Sequence, residues 1–297
     1  MQIIKASDRM LSPRKTAILL MVCAAMSFPA MDTMAKHLSQ SQPSFQIVWA
    51  RYTGQFLLIL LIFLPRLKSI LPTAQPGLQL ARSMALFGGT CFFFLSLRYL
   101  DVGQTSAIFQ IAPLMITALA ALFLKEVIGI RRILCLVGGF VGALIIIQPT
   151  ADNGLGMVGF LPVVAASFYA VYSVLTRLVK EGESAQTTLF YTAGFGAVIS
   201  TLILPFIWVT PQSGLDVILM MSMSLFGSLG HYCVIQALAR AEASDMAPLN
   251  YLSLVFAMFW GFLVFEEVPN ASTLSGAVLV VGSGLYVWAR TRQKTSP

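Results

Sequence analysis

Ionised side chains stand where the chain is otherwise apolar. The stretch "SFPAMDTMAKHL" at 27–38 carries Asp32, Lys36 and His37, and the next apolar stretch carries Arg51 shortly after its start. A charge held inside hydrocarbon costs about 2.5–3.5 kcal/mol on insertion scales, so such groups face a cavity or one another. Asp32 lies six residues before the end of its segment at Leu38, and Arg51 seven residues after the start of the next at Ser44. At about 1.5 Å of rise per residue both sit roughly 10 Å deep and can meet. Phe28, Asp32 and Lys36 repeat every four residues and share one helix face. Pro29 is expected to loosen the helix there. The chemistry on offer is capture of an ionised solute: Asp32 and Arg51 line its path, and Phe28 offers a ring. Lys36 stands at the outer end of that path and, like His37, also reads as a cation reaching for the interface.

The remaining polar residues in apolar sequence are few. His231 could relay a coupling proton. Ser228, one turn earlier, raises an intramembrane serine protease as a rival, but no GxSxG surrounds it. Gln110, Asn250 and Tyr251 are further candidates for the path, because a side-chain amide in hydrocarbon needs a partner. Trp49 and Trp260 read as packing or interfacial aromatics. There is no GxxxxGK[ST] loop for a nucleotide and no metal spacing, with only two histidines. No cofactor and no metal are expected, transport would run on a gradient or on exchange, and the chain is not read as an enzyme.

Positioning these residues falls to long apolar helices. The chain is 57% hydrophobic and 10% charged, outside the range of soluble domains. Apolar segments can be drawn at 16–38, 44–64, 79–99, 102–124, 130–148, 157–179, 186–209, 215–238, 243–265 and 271–290. Each is long enough to cross about 30 Å of hydrocarbon, which predicts an all-α membrane protein of ten transmembrane helices. Of 19 Lys and Arg, 16 fall on one side of that topology: Lys5, Arg9, Arg14, Lys15, Arg66, Lys68, Arg82, Lys125, Arg131, Arg132, Arg177, Lys180, Arg240, Arg290, Arg292 and Lys294. The bias places both termini in the cytoplasm. It accounts for the net charge of +7 with the lipid bilayer as partner and no nucleic acid. The basic leader before Thr16 resembles a signal peptide but reads as uncleaved, since its apolar run is too long for one. The four cysteines, Cys23, Cys91, Cys135 and Cys233, read as packing residues.

The chain also repeats itself. "SMALFG" at 83–88 matches "SMSLFG" at 222–227, and "RYTGQFLLILLIFLP" at 51–65 lies over "YTAGFGAVISTLILP" at 191–205, pairing Gly54 with Gly194 and Pro65 with Pro205. "LFLKE" at 122–126 lies over "LVFEE" at 263–267, pairing Glu126 with Glu267. Five helices per half make the repeats inverted, the architecture of secondary transporters. The division is 1–15 as a cytoplasmic segment, 16–148 and 157–290 as the two repeats, 149–156 as linker and 291–297 as tail. Asp32 then matches Tyr172, Arg51 matches Tyr191, His231 matches Phe92, and Gln110 falls over Tyr251. The expectation is a site between the halves with an ionic wall and a phenolic wall from Tyr172 and Tyr191, suited to a ligand with a polar end and a flat ring. "GGFVG" at 138–142 and Gly276, Gly282 and Gly284 mark close helix packing. A homodimer is compatible with these features.

The "APL" at 112–114, "APLNYLSLVF" at 247–256, "LFLKE", "FEEVP" and Arg51 resemble the EamA family of the drug/metabolite transporter superfamily. Within it, "MDTMAKHL" and "PNASTLSGAVLVV" look most like bacterial inner-membrane carriers importing S-adenosylmethionine or riboflavin. The resemblance implies alternating-access uptake of a small organic metabolite. Riboflavin is favoured over S-adenosylmethionine because Arg51 and Lys36 would repel a sulfonium cation, and amino-acid or drug efflux is the alternative within the family. The family pattern also implies a helix break at Pro113, which Leu254 in the second half does not repeat.

Overall fold

The computed structural model describes residues 12–124, 130–149, 156–179, 183–241 and 246–295. Among these the α-helices are α1 (Pro13–Leu38), α2 (Ser44–Phe63), α3 (Pro76–Leu97), α4 (Val102–Phe109), α5 (Ala112–Leu124) and α6 (Ile130–Ile147). They continue with α7 (Leu161–Arg177), α8 (Ala185–Ile203), α9 (Gly214–Leu238), α10 (Leu252–Phe265) and α11 (Ala271–Thr295), with only short helical turns besides and no strands. Nine helical stretches among the described residues are long and apolar enough to cross a membrane, α4 and α5 together forming one of them. The tenth expected span, α6, holds a shorter apolar stretch, Ile133–Ile147. Glu126 and most of the linker, 150–155, lie outside the described residues.

Local chemistry sets the helix ends. Pro13 and Pro76 open α1 and α3, positions where a missing N–H costs nothing. Ser184 and Ser213 cap α8 and α9 by accepting from the N–H groups of Thr187 at 2.9 Å and Asp216 at 3.1 Å. The repeat is visible in the backbone: Pro65 and Pro205 each sit in a three-residue 3₁₀ turn, Leu64–Arg66 and Leu204–Phe206, that ends its helix.

Three expectations about prolines are refined. α1 runs unbroken through Pro29, with the Thr33 hydroxyl donating to the Pro29 carbonyl at 2.8 Å. The break in the fourth span falls at Gln110 and Ile111, so Pro113 lies in the first turn of α5, where it is tolerated. In the second half a 3₁₀ segment, Ala247–Tyr251, leads into α10, which is continuous through Leu254.

Helices of the two halves interlock: α1 packs on α9 and α10, α2 on α8, and α3 on α7 and α8. Lipid removes most of the hydrophobic drive between helices, so close approach decides the packing. Tyr52 of α2 fills the hollow at Gly196 of α8, where an added Cβ would lie 2.3 Å from its ring. α6 and α11 meet at Gly142 and Gly276, whose backbones approach so closely that a Cβ on Gly276 would lie 2.5 Å from the Gly142 carbonyl. Of the small residues flagged in these segments, Gly139, Gly142, Gly276 and Gly284 serve packing within the chain, whereas Gly282 faces open space. Large apolar side chains face outward, as Leu61, Phe206 and Val278 do.

Candidate functional site

The bundle has two ends. One, here the terminal face, carries the start of α1 and the α2–α3 and α7–α8 connections; the opposite face carries residues 39–43, 98–101 and 266–270. Asp32 and Arg51 lie toward the opposite face, on α1 and α2, each 8% exposed. The charge of Arg51 acts on Asp32 and on His231, yet among the described residues no ion pair within 4.0 Å joins Arg51 or Asp32 to any group.

Arg51 is held by neutral groups. Its Nη1 donates to Thr90 Oγ1 of α3 at 3.0 Å, which also lies 3.0 Å from the Tyr52 hydroxyl. The Thr90 proton goes to the Leu86 carbonyl at 2.9 Å, so this threonine can only accept from the guanidinium. The guanidinium carbon lies 5.3 Å from the Tyr52 ring centroid and 5.5 Å from that of Phe94. Arg51 Nε is buried without a hydrogen-bond partner. Such an arrangement fixes a buried cation and leaves it short of an anion, which is the condition for holding a ligand carboxylate.

The other anticipated residues distribute as follows. Phe28 packs edge-on against His231, centroids 5.1 Å apart, beside Asp32 on the α1–α9 contact. Ser228 Oγ is buried with no hydrogen-bond partner, so it forms no dyad with His231. Gln110 donates to the Asn250 carbonyl at 3.4 Å and to Ser253 Oγ at 3.3 Å, bringing the break in the fourth span onto the ninth. Tyr251 packs against Gly284 of α11, and Trp49 bonds Thr201 and packs on Trp208.

Tyr172 and Tyr191 make their hydrogen bonds nearer the other end of the bundle. An inverted repeat carries equivalent positions to opposite faces of the bundle, and both tyrosines lie toward the terminal face. Tyr191 donates to the Leu71 carbonyl at 2.8 Å. Tyr172 accepts from Arg82 Nη2 at 3.0 Å and offers its ring face at 4.8 Å.

Arg82, counted from sequence with the surface cations of the terminal face, is only 1% exposed. It is drawn inward by a set of neutral acceptors: Thr176 Oγ1 at 2.9 Å, Gln79 Oε1 at 3.0 Å and the Thr188 carbonyl at 3.4 Å, besides Tyr172. Glu183 closes the same end by accepting from Thr73 Oγ1 at 2.7 Å and the Ala74 N–H at 2.8 Å. These bonds, led by that from Thr73, hold its carboxyl below the ordinary carboxylate pKa.

Lys36 is more than an interface cation. Its Nζ pairs with Glu267 Oε1, donates to the Leu100 carbonyl at 2.9 Å and lies 3.5 Å from Asp101. Glu267 Oε2 accepts from the Val102 N–H at 2.9 Å. One ion pair thus ties α1, the α3–α4 connection and the α10–α11 connection across the opposite face. Burial pushes the Glu267 carboxyl up, and Lys36 opposes it. In a double-mutant cycle of Lys36→Met and Glu267→Leu, the double variant should melt higher than the sum of single losses allows, with a coupling of about 0.5–3 kcal/mol. Additive losses would show that the pair does not act as a unit.

Sequence reasoning passed over Tyr52, Thr90, Phe94, Arg82 and Glu267 as site residues. Glu267 had a signal, its pairing with Glu126 across the repeat, whereas a threonine in apolar sequence gives none.

The chain is 29% identical over 262 residues to an S-adenosylmethionine uptake transporter of Rickettsia felis, covering 88% of each. It is 27% identical over 270 residues to a pseudopaline exporter of Pseudomonas aeruginosa, covering 90% of this chain and 94% of that one. It is 27% identical over 275 residues to a riboflavin transporter of Vibrio cholerae, covering 90% and 91%. A solved crystal structure superposes with a TM-score of 0.65 at 18% identity, covering 95% of this chain and all of the other, which shows a shared fold. The model of the EamA-like transporter family matches residues 15–148 and 156–288, nearly the whole of both halves, and the chain therefore belongs to that family of multi-pass membrane transporters.

Proposed function

We propose that the protein imports a small zwitterionic metabolite with an aromatic ring across the bacterial inner membrane by alternating access, with S-adenosylmethionine as its substrate. The carrying observation is that the buried side chains of Asp32 and Arg51 have no ion-pair partner within 4.0 Å among the described residues. An amino-acid end fits them: its carboxylate answers Arg51 and its ammonium answers Asp32. The half-buried ring of Phe28, one turn from Asp32, is available to a nucleobase. The names of the Rickettsia relatives point the same way.

From sequence, riboflavin is favoured because Arg51 and Lys36 would repel a sulfonium; the substrate's own carboxylate answers Arg51. Lys36 is taken up by Glu267 and no longer counts against a cation. A neutral isoalloxazine would leave both buried charges unanswered, at a cost. The terminal face is assigned to the cytoplasm by its basic residues, so Arg51 meets substrate from outside. Counterflow of labelled S-adenosylmethionine into proteoliposomes should be saturable and competed by excess unlabelled compound. Counterflow of riboflavin without that of S-adenosylmethionine would overturn the assignment.

A further inference from the structure

Arg82 repeats the chemistry of Arg51 at the other end of the molecule. Arg51 is the eighth residue of α2 counted from the opposite face, and Arg82 the seventh of α3 counted from the terminal face. At about 1.5 Å per residue each guanidinium starts roughly 10 Å below its own surface. Both are held by a threonine hydroxyl whose proton is given to its own helix: Thr90 to Leu86, and Thr176 to the Tyr172 carbonyl at 2.7 Å. Both lie against a tyrosine ring. Among the described residues neither has a carboxylate within 4.0 Å.

Their partners differ in one respect. Thr90 and Tyr52 belong to the same half as Arg51, whereas Thr176, Tyr172 and Thr188 belong to the half across from Arg82. To open the terminal face, α3 must part from α7 and α8. Those three bonds then break, and only Gln79 stays with the guanidinium. Among the described residues the nearest carboxylate that the hydrogen bonds trace is Glu183, one residue away through Gln79 and itself held by Thr73 and Ala74, so a buried cation freed of its neutral acceptors takes an incoming anion, and the planar fork of arginine suits a carboxylate.

Resting on the reading of Arg51 given above, we infer that Arg82 is a second binding station for the substrate's carboxylate, empty and masked while the terminal face is closed and exposed when it opens, so that the anionic end passes from Arg51 to Arg82 during transport. It deepens the proposed function with a residue that topology alone would have assigned to the surface.

The test separates the two sides of the membrane. Labelled S-adenosylmethionine transport is measured in right-side-out and inside-out vesicles carrying the unmodified protein, Arg82→Gln or Arg82→Lys. Arg82→Gln should raise half-saturation at least tenfold for substrate offered from the cytoplasmic side and less than threefold from the outside. Arg82→Lys, which keeps the charge without the fork, should show the same one-sided shift at about threefold, and it carries the test should the glutamine variant fail to reach the membrane. Equal shifts on both sides, or none, would mean that Arg82 only fastens helices, and the inference would be lost. Absence of S-adenosylmethionine transport by the unmodified protein is a different failure, which overturns the substrate assignment first.

Discussion

Arg51→Gln is expected to lower transport on the order of 100-fold while leaving a folded carrier. Removing one partner of a desolvated charge contact costs about 2–5 kcal/mol, and each 1.4 kcal/mol is about tenfold. The scaffold should tolerate the change because Arg51 makes no ion pair among the described residues that would be orphaned, and glutamine can still donate to Thr90. Asp32→Asn should act on the same substrate, and the double variant should be little worse than the weaker single if both charges hold one ligand. Labelled-substrate uptake together with thermal melting of the purified protein checks this. A fall in melting temperature that parallels the fall in uptake would assign Arg51 to architecture.

The second large effect is on stability. Gly276→Ala would place a methyl group 2.5 Å from the Gly142 carbonyl and 2.5 Å from Ile146 Cγ1, where backbone has no rotamer to escape into. Overpacking of this kind costs about 1–3 kcal/mol, or roughly 5 °C in a protein of this size. The control lies on the same helix: a Cβ on Gly282 meets nothing within 4 Å, so Gly282→Ala should be neutral or stabilising by up to about 1 kcal/mol through helix propensity. Equal melting temperatures for the two variants would mean that the α6–α11 contact is looser than described.

Where sequence and structure agree, the agreement has a physical source. Long apolar runs, the repeat and the paired prolines are signals written along one dimension, and the helices and the matching 3₁₀ turns at Pro65 and Pro205 follow from them. The depth argument that set Asp32 level with Arg51 also needed only rise per residue. What a linear pattern lacks is the direction in which a long side chain bends. Arg82 reads as a surface cation because it stands near a helix start, and only the convergence of Thr176, Tyr172 and Thr188 from other helices shows that it turns inward. The hydrogen bonds of Tyr172 and Tyr191 fall toward the terminal face for a related reason. Superposing two halves aligns their residues in register while inversion sends the copies to opposite ends.

The two threonine moorings give the guanidiniums different mechanical lives. Thr90 fastens Arg51 of α2 to α3 within one half, so that tie survives any rocking of the halves and travels with them. Thr176 fastens Arg82 of α3 to α7 in the other half, so any rocking of the halves strains that tie. One tie lies inside a half and the other bridges the two.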